Sequence, residues 1–86
     1  MMYYYAIYAK SQCGFCARAV SLLGAAGFDH ALILLDKAPD FHALLKKKYE
    51  WETVPIIVKC NKTTGDDIEL IGGFTDLVEH LGEDDA

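Results

Sequence analysis

Apolar residues in this chain fall into short runs and periodic stretches, and the two patterns imply different local structure. Tyr3 to Tyr8 is rich in aromatics, with Ile7 among them, and reads as a strand. Ser11-Gln12-Cys13-Gly14 is a short connection. From Phe15 to about Ala26 the period changes: Cys16, Ala19, Val20 and Leu23 stand at i, i+3, i+4 and i+7, one apolar face of a helix. Gly24 and Gly27 act as stop signals. His30 to Leu35 is a continuous apolar run between Asp29 and Asp36, strand-length and expected to be buried on both faces. Pro39-Asp40 opens a second helix with Phe41, Leu44, Leu45 and Tyr49 on one face. Thr53-Val54-Pro55 is a break. Ile56 to Cys60 and Ile68 to Ile71 are strands joined through the turn residues of Asn61 to Asp67, hence a hairpin. Gly72-Gly73 ends the second of them. Thr75 is placed to cap a last helix to Leu81, stopped by Gly82, with Glu83 to Ala86 an acidic, frayed end.

The element order is therefore β-α-β-α-β-β-α. A right-handed first crossover makes the first two strands parallel, and the hairpin adds an antiparallel pair. The expected fold class is α/β, a four-stranded mixed sheet flanked by helices. Neither an internal repeat nor a low-complexity segment interrupts it.

With 86 residues the chain has room for one domain, 1–86, and half its residues are apolar, so it can build a core. The formal charge is −5, from 8 basic and 13 acidic side chains, which argues against a nucleic-acid partner. The one basic run, Lys46-Lys47-Lys48, reads as a solvated helix face. No segment reaches the roughly 20 apolar residues that span a bilayer, so no membrane partner is expected. The apolar start lacks the basic region of a signal peptide and reads better as a buried strand. The expected setting is cytoplasmic, with reduced thiols.

The candidate chemistry lies in Cys13-Gly14-Phe15-Cys16, between a predicted strand and a predicted helix. At a helix start, residues three apart are neighbours, near enough for a disulfide to close. Backbone N–H groups and the helix dipole favour thiolate at the first cysteine, where such groups have pKa values of about 3.5–7.5. Lys10 and Arg18 add positive charge nearby. A thiolate at Cys13 attacks disulfides and is also a good leaving group. Cys16, one turn into the helix, is placed to resolve a mixed disulfide formed at Cys13. Half a zinc site is the competing reading, but Cys60, His30, His42 and His80 do not pair at ligand spacing, so no metal site is expected. A pair of small core residues is the other. Cys60 reads as a strand residue without chemistry, and His42 and His80 as ordinary surface or half-buried residues.

Three segments together resemble the glutaredoxins over nearly the whole length: Lys10 with Cys13-Gly14-Phe15-Cys16, then Thr53-Val54-Pro55, then Gly72-Gly73-Phe74-Thr75-Asp76. The resemblance implies a thioredoxin fold and a glutathione-dependent thiol–disulfide oxidoreductase. Cys13 would be the nucleophile and Cys16 the resolving thiol. It further implies that Pro55 is cis, that the Val54 backbone turns toward a bound peptide whose cysteine can pair in strand fashion, and that Thr53 joins Val54 and Pro55 in binding glutathione. Gly73, Thr75 and Asp76 would hold the γ-glutamyl end of glutathione, and Lys10, with help from Lys46 or Lys47, its glycyl carboxylate. Glutathione and disulfide-containing or glutathionylated proteins are then the partners, ribonucleotide reductase among the family's clients, with the protein acting as a monomer.

The chain also departs from that pattern. Gly14 stands where many dithiol members carry proline, and CGF resembles the monothiol, cluster-binding branch, which lacks Cys16. A [2Fe-2S] cluster shared by two subunits through the first cysteine and glutathione is therefore an alternative, as is a redoxin fed by thioredoxin reductase. Trp51-Glu52 precedes Thr53 where basic or amide residues are usual. The hairpin from Lys59 to Asp67 is longer than typical and reads as a surface loop.

Overall fold

In a computed structural model, described here for residues 2–85, one sheet of four strands has the order β2-β1-β3-β4. Strand β1 (Tyr3–Ala9) runs parallel to β2 (His30–Leu34) and antiparallel to β3 (Ile56–Asn61), which pairs antiparallel with β4 (Asp67–Gly72). Helix α1 (Gly14–Ala25) makes the β1–β2 crossover, α2 (Pro39–Tyr49) links β2 to β3, and α3 (Phe74–Asp85) follows the hairpin. This is the expected mixed α/β architecture with the expected element order. No helix among the described residues is long and apolar enough to cross a membrane.

Strand alternation sends side chains to two cores. Tyr5, Ile7 and Ala9 of β1 and Ile57 of β3 pack with Cys16, Ala19, Leu23, Leu77 and Leu81 of α1 and α3. Ala6 turns to the other face, with Ile56, Val58, Cys60, Leu35 and Leu45. Each fully buried large aliphatic side chain contributes about 1.5–3 kcal/mol relative to exposure, and their convergence on β1 and β3 anchors both ends of the site below.

Several local expectations change. The run His30 to Leu35 is not buried on both faces: β2 is an edge strand, and Leu32 and Leu34 stay 48% and 52% exposed. On α2 only Leu45 of the expected apolar face is buried, while Phe41 and Leu44 remain exposed. Gly24 lies inside α1 rather than ending it, and the turn comes at Gly27, whose φ is +79°. At the other end, α3 begins at Phe74 and continues through Gly82 to Asp85. Thr75 is thus inside the helix, and Asp76 makes the capping contact. The acidic end expected over Glu83 to Ala86 is helical in its backbone as far as Asp85, and Ala86 lies outside the described residues. The hairpin loop is held by Asn61, whose Oδ1 accepts the N–H groups of Thr63 and Thr64 at 2.8 and 3.0 Å.

Candidate functional site

Strand β1 ends at Ala9, and the chain must turn before α1 can pack back on the sheet. Asp36, just after β2, holds that turn: Ser11 donates its N–H to Oδ1 at 2.9 Å and its hydroxyl to Oδ2 at 2.6 Å. These two bonds hold the Asp36 carboxyl below its ordinary pKa. Nothing in the sequence marks this contact, because it joins residues 25 apart.

The turn delivers Cys13 to the N-cap of α1, in extended backbone at φ −138°. Its Sγ accepts the N–H of Cys16 at 3.2 Å, the bond that a serine or aspartate oxygen makes at other helix starts. In the reduced protein the same N–H and the helix dipole favour negative charge on that sulfur. Cys13 and Cys16 are joined as a disulfide with Cα atoms 5.2 Å apart. Their exposures differ: Cys13 is half-buried at the surface, whereas Cys16 is 3% exposed in the core. Only Cys13 is open to a partner.

Opposite the pair lies the start of β3. The Val54–Pro55 peptide is cis, and the Val54 carbonyl is 3.9 Å from Cys13 Sγ. From there a cavity of about 350 Å³ runs to the start of α3, lined by Thr53, Val54, Pro55, Gly73, Thr75 and Asp76. Asp76 Oδ2 accepts the Gly73 N–H at 2.9 Å, the acid half of a capping box. Gly72 holds φ +118°, which a side chain could scarcely adopt, and lets Trp51 and Asp76 close over it.

The structure thus gathers six of the named residues into one cavity beside the cysteines. It does not place Lys10 there. Lys10 lines a second cavity of about 260 Å³ together with Cys13 and Cys16 themselves, Ser11, Leu32 and Leu34, and neither cysteine lines the first. Lys46 and Lys47 line neither cavity, and Lys48 pairs with Asp67 at 3.0 Å. Asp76 is the one charged group lining the first cavity.

Three aromatic residues complete that cavity: Phe15, Trp51 and Phe74. Phe15 and Phe74 bridge the mouths of α1 and α3 with centroids 6.0 Å apart, and Arg18 lies 5.3 Å above Phe15. Phe15 lies within the cysteine motif, but its exposure is seen only in the fold. Trp51 stands out as a departure, but its position over Gly72 needs the tertiary fold.

Cys60 is buried in β3, and burial pushes its thiol pKa up. His80 meets the Tyr5 hydroxyl at 3.2 Å. His42 is half-buried, and burial, then the charges of Lys46 and Lys10, pull its pKa down. Among the described residues no group of three or more His, Cys, Asp or Glu side chains could hold a metal ion.

Comparison with known proteins agrees with this geometry. A family model described as Glutaredoxin matches residues 6–62. A probable monothiol glutaredoxin of Legionella pneumophila, GrlA, is 40% identical over 58 residues, 66% of this chain and 65% of its own length. The match therefore spans just under two thirds of that relative. The buckwheat glutaredoxin–glutathione complex superposes with a TM-score of 0.74 at 25% identity, covering 95% of this chain and 71% of its own. A dithiolic glutaredoxin of Trypanosoma brucei brucei, 2-C-Grx1, gives 0.70 at 29% identity, over 93% and 77%.

Proposed function

The chain belongs to the glutaredoxin family, and from that membership we propose that it is a glutathione-dependent thiol–disulfide oxidoreductase working through Cys13 and Cys16. The observation that carries this reading is the asymmetric pair at the α1 N-terminus. The accessible sulfur accepts a helix N–H, and the resolving sulfur is packed beneath it. The buckwheat neighbour binds glutathione in its own structure, and in this chain Val54, whose carbonyl is 3.9 Å from Cys13 Sγ, lines the cavity that runs to Asp76.

The chemistry follows thiol–disulfide exchange. With a glutathionylated protein, the Cys13 thiolate attacks the glutathione sulfur. A Cys13–glutathione disulfide forms, and the protein thiolate leaves and takes a proton from solvent. A second glutathione thiolate attacks that disulfide, releasing oxidised glutathione and restoring the Cys13 thiolate. With a protein disulfide, Cys13 attacks one sulfur and frees the other. The Cys16 thiolate then attacks Cys13, releasing the reduced protein and leaving the Cys13–Cys16 disulfide present in this structure. Two glutathione thiols reduce it.

In this reading Val54 offers its backbone to the cysteine of glutathione, and the N-terminus of α3 with Asp76 receives its γ-glutamyl end. The test is turnover of a glutathionylated peptide coupled to NADPH oxidation through glutathione reductase. Activity abolished by Cys13→Ser and retained by Cys16→Ser is the expected result. Turnover surviving in Cys13→Ser would refute the assignment.

A second reading, binding of a [2Fe-2S] cluster, is favoured by the monothiol relative and by Gly14, around which an added Cβ would meet nothing within 4 Å. The residues of one chain do not make such a site, since Cys13 alone offers an open sulfur and four ligands are needed. It would require two chains and two further thiols. A colourless product after anaerobic reconstitution with iron, sulfide and glutathione would dismiss it.

A further inference from the structure

The two edges of the sheet are built differently. The β4 edge carries Asp67 and Glu69, and its pairing with β3 slips in register between Ile57 and Val58 and between Lys59 and Cys60. Charges and bulges of this kind keep an open edge from pairing with another chain. The β2 edge has neither. Its sequence, His-Ala-Leu-Ile-Leu, has no carboxylate, lysine or proline, it pairs with β1 in unbroken register, and it leaves two leucines about half exposed.

The hydrogen-bond direction along β2 is fixed by its neighbour. Asp29 accepts from Tyr5 N–H at 3.0 Å, and Leu35 donates to the Ala9 carbonyl at 2.8 Å. Residues 29, 31, 33 and 35 therefore turn their backbone groups toward β1. Those of His30, Leu32 and Leu34 point outward, along the open edge.

We propose that this edge pairs with β2 of a second copy, antiparallel about a two-fold axis at Ile33, to form a continuous eight-stranded sheet. In that register Leu32 of each copy stands opposite Leu34 of the other, and both present outward-facing N–H and C=O groups, so the bonds can close. The leucines meet on the α1 face and the two Ile33 side chains on the α2 face. Beyond the strand the chain turns at Asp36 and Lys37, where Ala38 donates to the Leu35 carbonyl at 3.0 Å, so the pairing is confined to the strand itself. The edge is thus complementary to itself in hydrogen bonding and apolar surface. Leu32 and Leu34 also wall the cavity behind Cys13 and Cys16, so the second copy closes that cavity from the β2 side. Contact through five residues per strand falls short of the roughly 1,200 Å² buried in lasting complexes, so the dimer is weak and concentration-dependent.

The experiment is sedimentation velocity on the reduced full chain, with a phosphine reductant excluding inter-chain disulfides. Concentrations run from about 10 µM to about 1 mM, the range of weak contacts. Wild type is expected to shift from monomer to dimer. Leu32→Lys with Leu34→Lys sets like charges opposite each other and weakens association at least about tenfold. Leu32→Lys with Leu34→Glu sets each lysine opposite the second copy's glutamate and restores it. Both positions are exposed, and far-UV circular dichroism verifies that each variant is folded. A wild type monomeric throughout overturns the proposal, whatever else binds this edge. So does a dimer indifferent to the double lysine variant. A Lys/Glu variant as dissociated as the Lys/Lys one overturns the register.

Discussion

Replacing Gly72 with alanine tests whether the close approach at the start of α3 holds the candidate site together. A Cβ at Gly72 would stand 2.7 Å from Asp76 Oδ2, 2.9 Å from Asp76 Cγ and 2.9 Å from Trp51 Cη2, on a backbone with φ +118°. Confining a non-glycine residue there costs about 1–3 kcal/mol. Displacing Asp76 loses its bond to Gly73 N–H, a cap worth about 0.5–2 kcal/mol. The sum is about 1.5–5 kcal/mol, which for a domain of this size lowers Tm by about 6–40 °C. Gly73→Ala is the control, because its Cβ would meet nothing closer than 3.6 Å, and its cost is expected below about 1 kcal/mol. Thermal melting of the reduced proteins by circular dichroism reads both. Two of the three close contacts are with Asp76, so Asp76→Ala combined with Gly72→Ala should cost about 1 kcal/mol less than the two single changes added together. Equal melting temperatures for Gly72→Ala and Gly73→Ala would refute the reasoning, and additive costs in the double variant would refute the Asp76 part of it.

Other outcomes follow from the same geometry. Trp51 is the only tryptophan and lines the cavity beside Val54 and Gly73, so titration with glutathione should change its fluorescence, and an unchanged spectrum at saturation would place glutathione elsewhere. Cys16→Ser should retain turnover of glutathione mixed disulfides but lose direct reduction of protein disulfides, which an insulin-reduction assay separates. The Asp67 carboxyl lies below its ordinary pKa of 3.8, chiefly through the Tyr49 hydroxyl and then through Lys48. A depressed carboxyl pKa contributes stability that is present above 3.8 and lost as pH falls through the folded value. Melting temperatures of Asp67→Asn and wild type should therefore differ near neutrality and converge in strong acid, and a constant gap at all pH values would count against the ion pair.

Much of this arrangement was legible because its signals are local. A cysteine pair between a strand and a helix, a proline opening a β-branched run and paired glycines before an acid each constrain a few adjacent residues. What escaped depends on neighbours distant in sequence. The run His30 to Leu35 reads the same for a central strand and an edge strand, since a period cannot reveal that nothing pairs on the far side. Phe41 and Leu44 lie on the expected stripe of α2, yet the sheet beneath accepts only Leu45 deeply. Thr75 reads as the cap, and only the position of Phe74 at the helix start shows that Asp76 makes the contact instead. Glycine stops helices in many contexts, but Gly82 lies within α3. The Ser11–Asp36 clasp joins two loops with no shared pattern, and only the fold shows that Lys10 shares a cavity with Cys13 and Cys16 rather than with Asp76.

The unequal burial of sulfur has a consequence for anyone handling the protein. Of three cysteines, Cys16 and Cys60 are each 3% exposed, and Cys13 alone meets solvent. A small alkylating reagent added to the reduced, folded chain should therefore mark one site quickly and then stall. Any later incorporation must wait for the core to open, so a mass spectrum taken over time becomes a clock for unfolding, with the second and third adducts timing the two faces of the sheet separately.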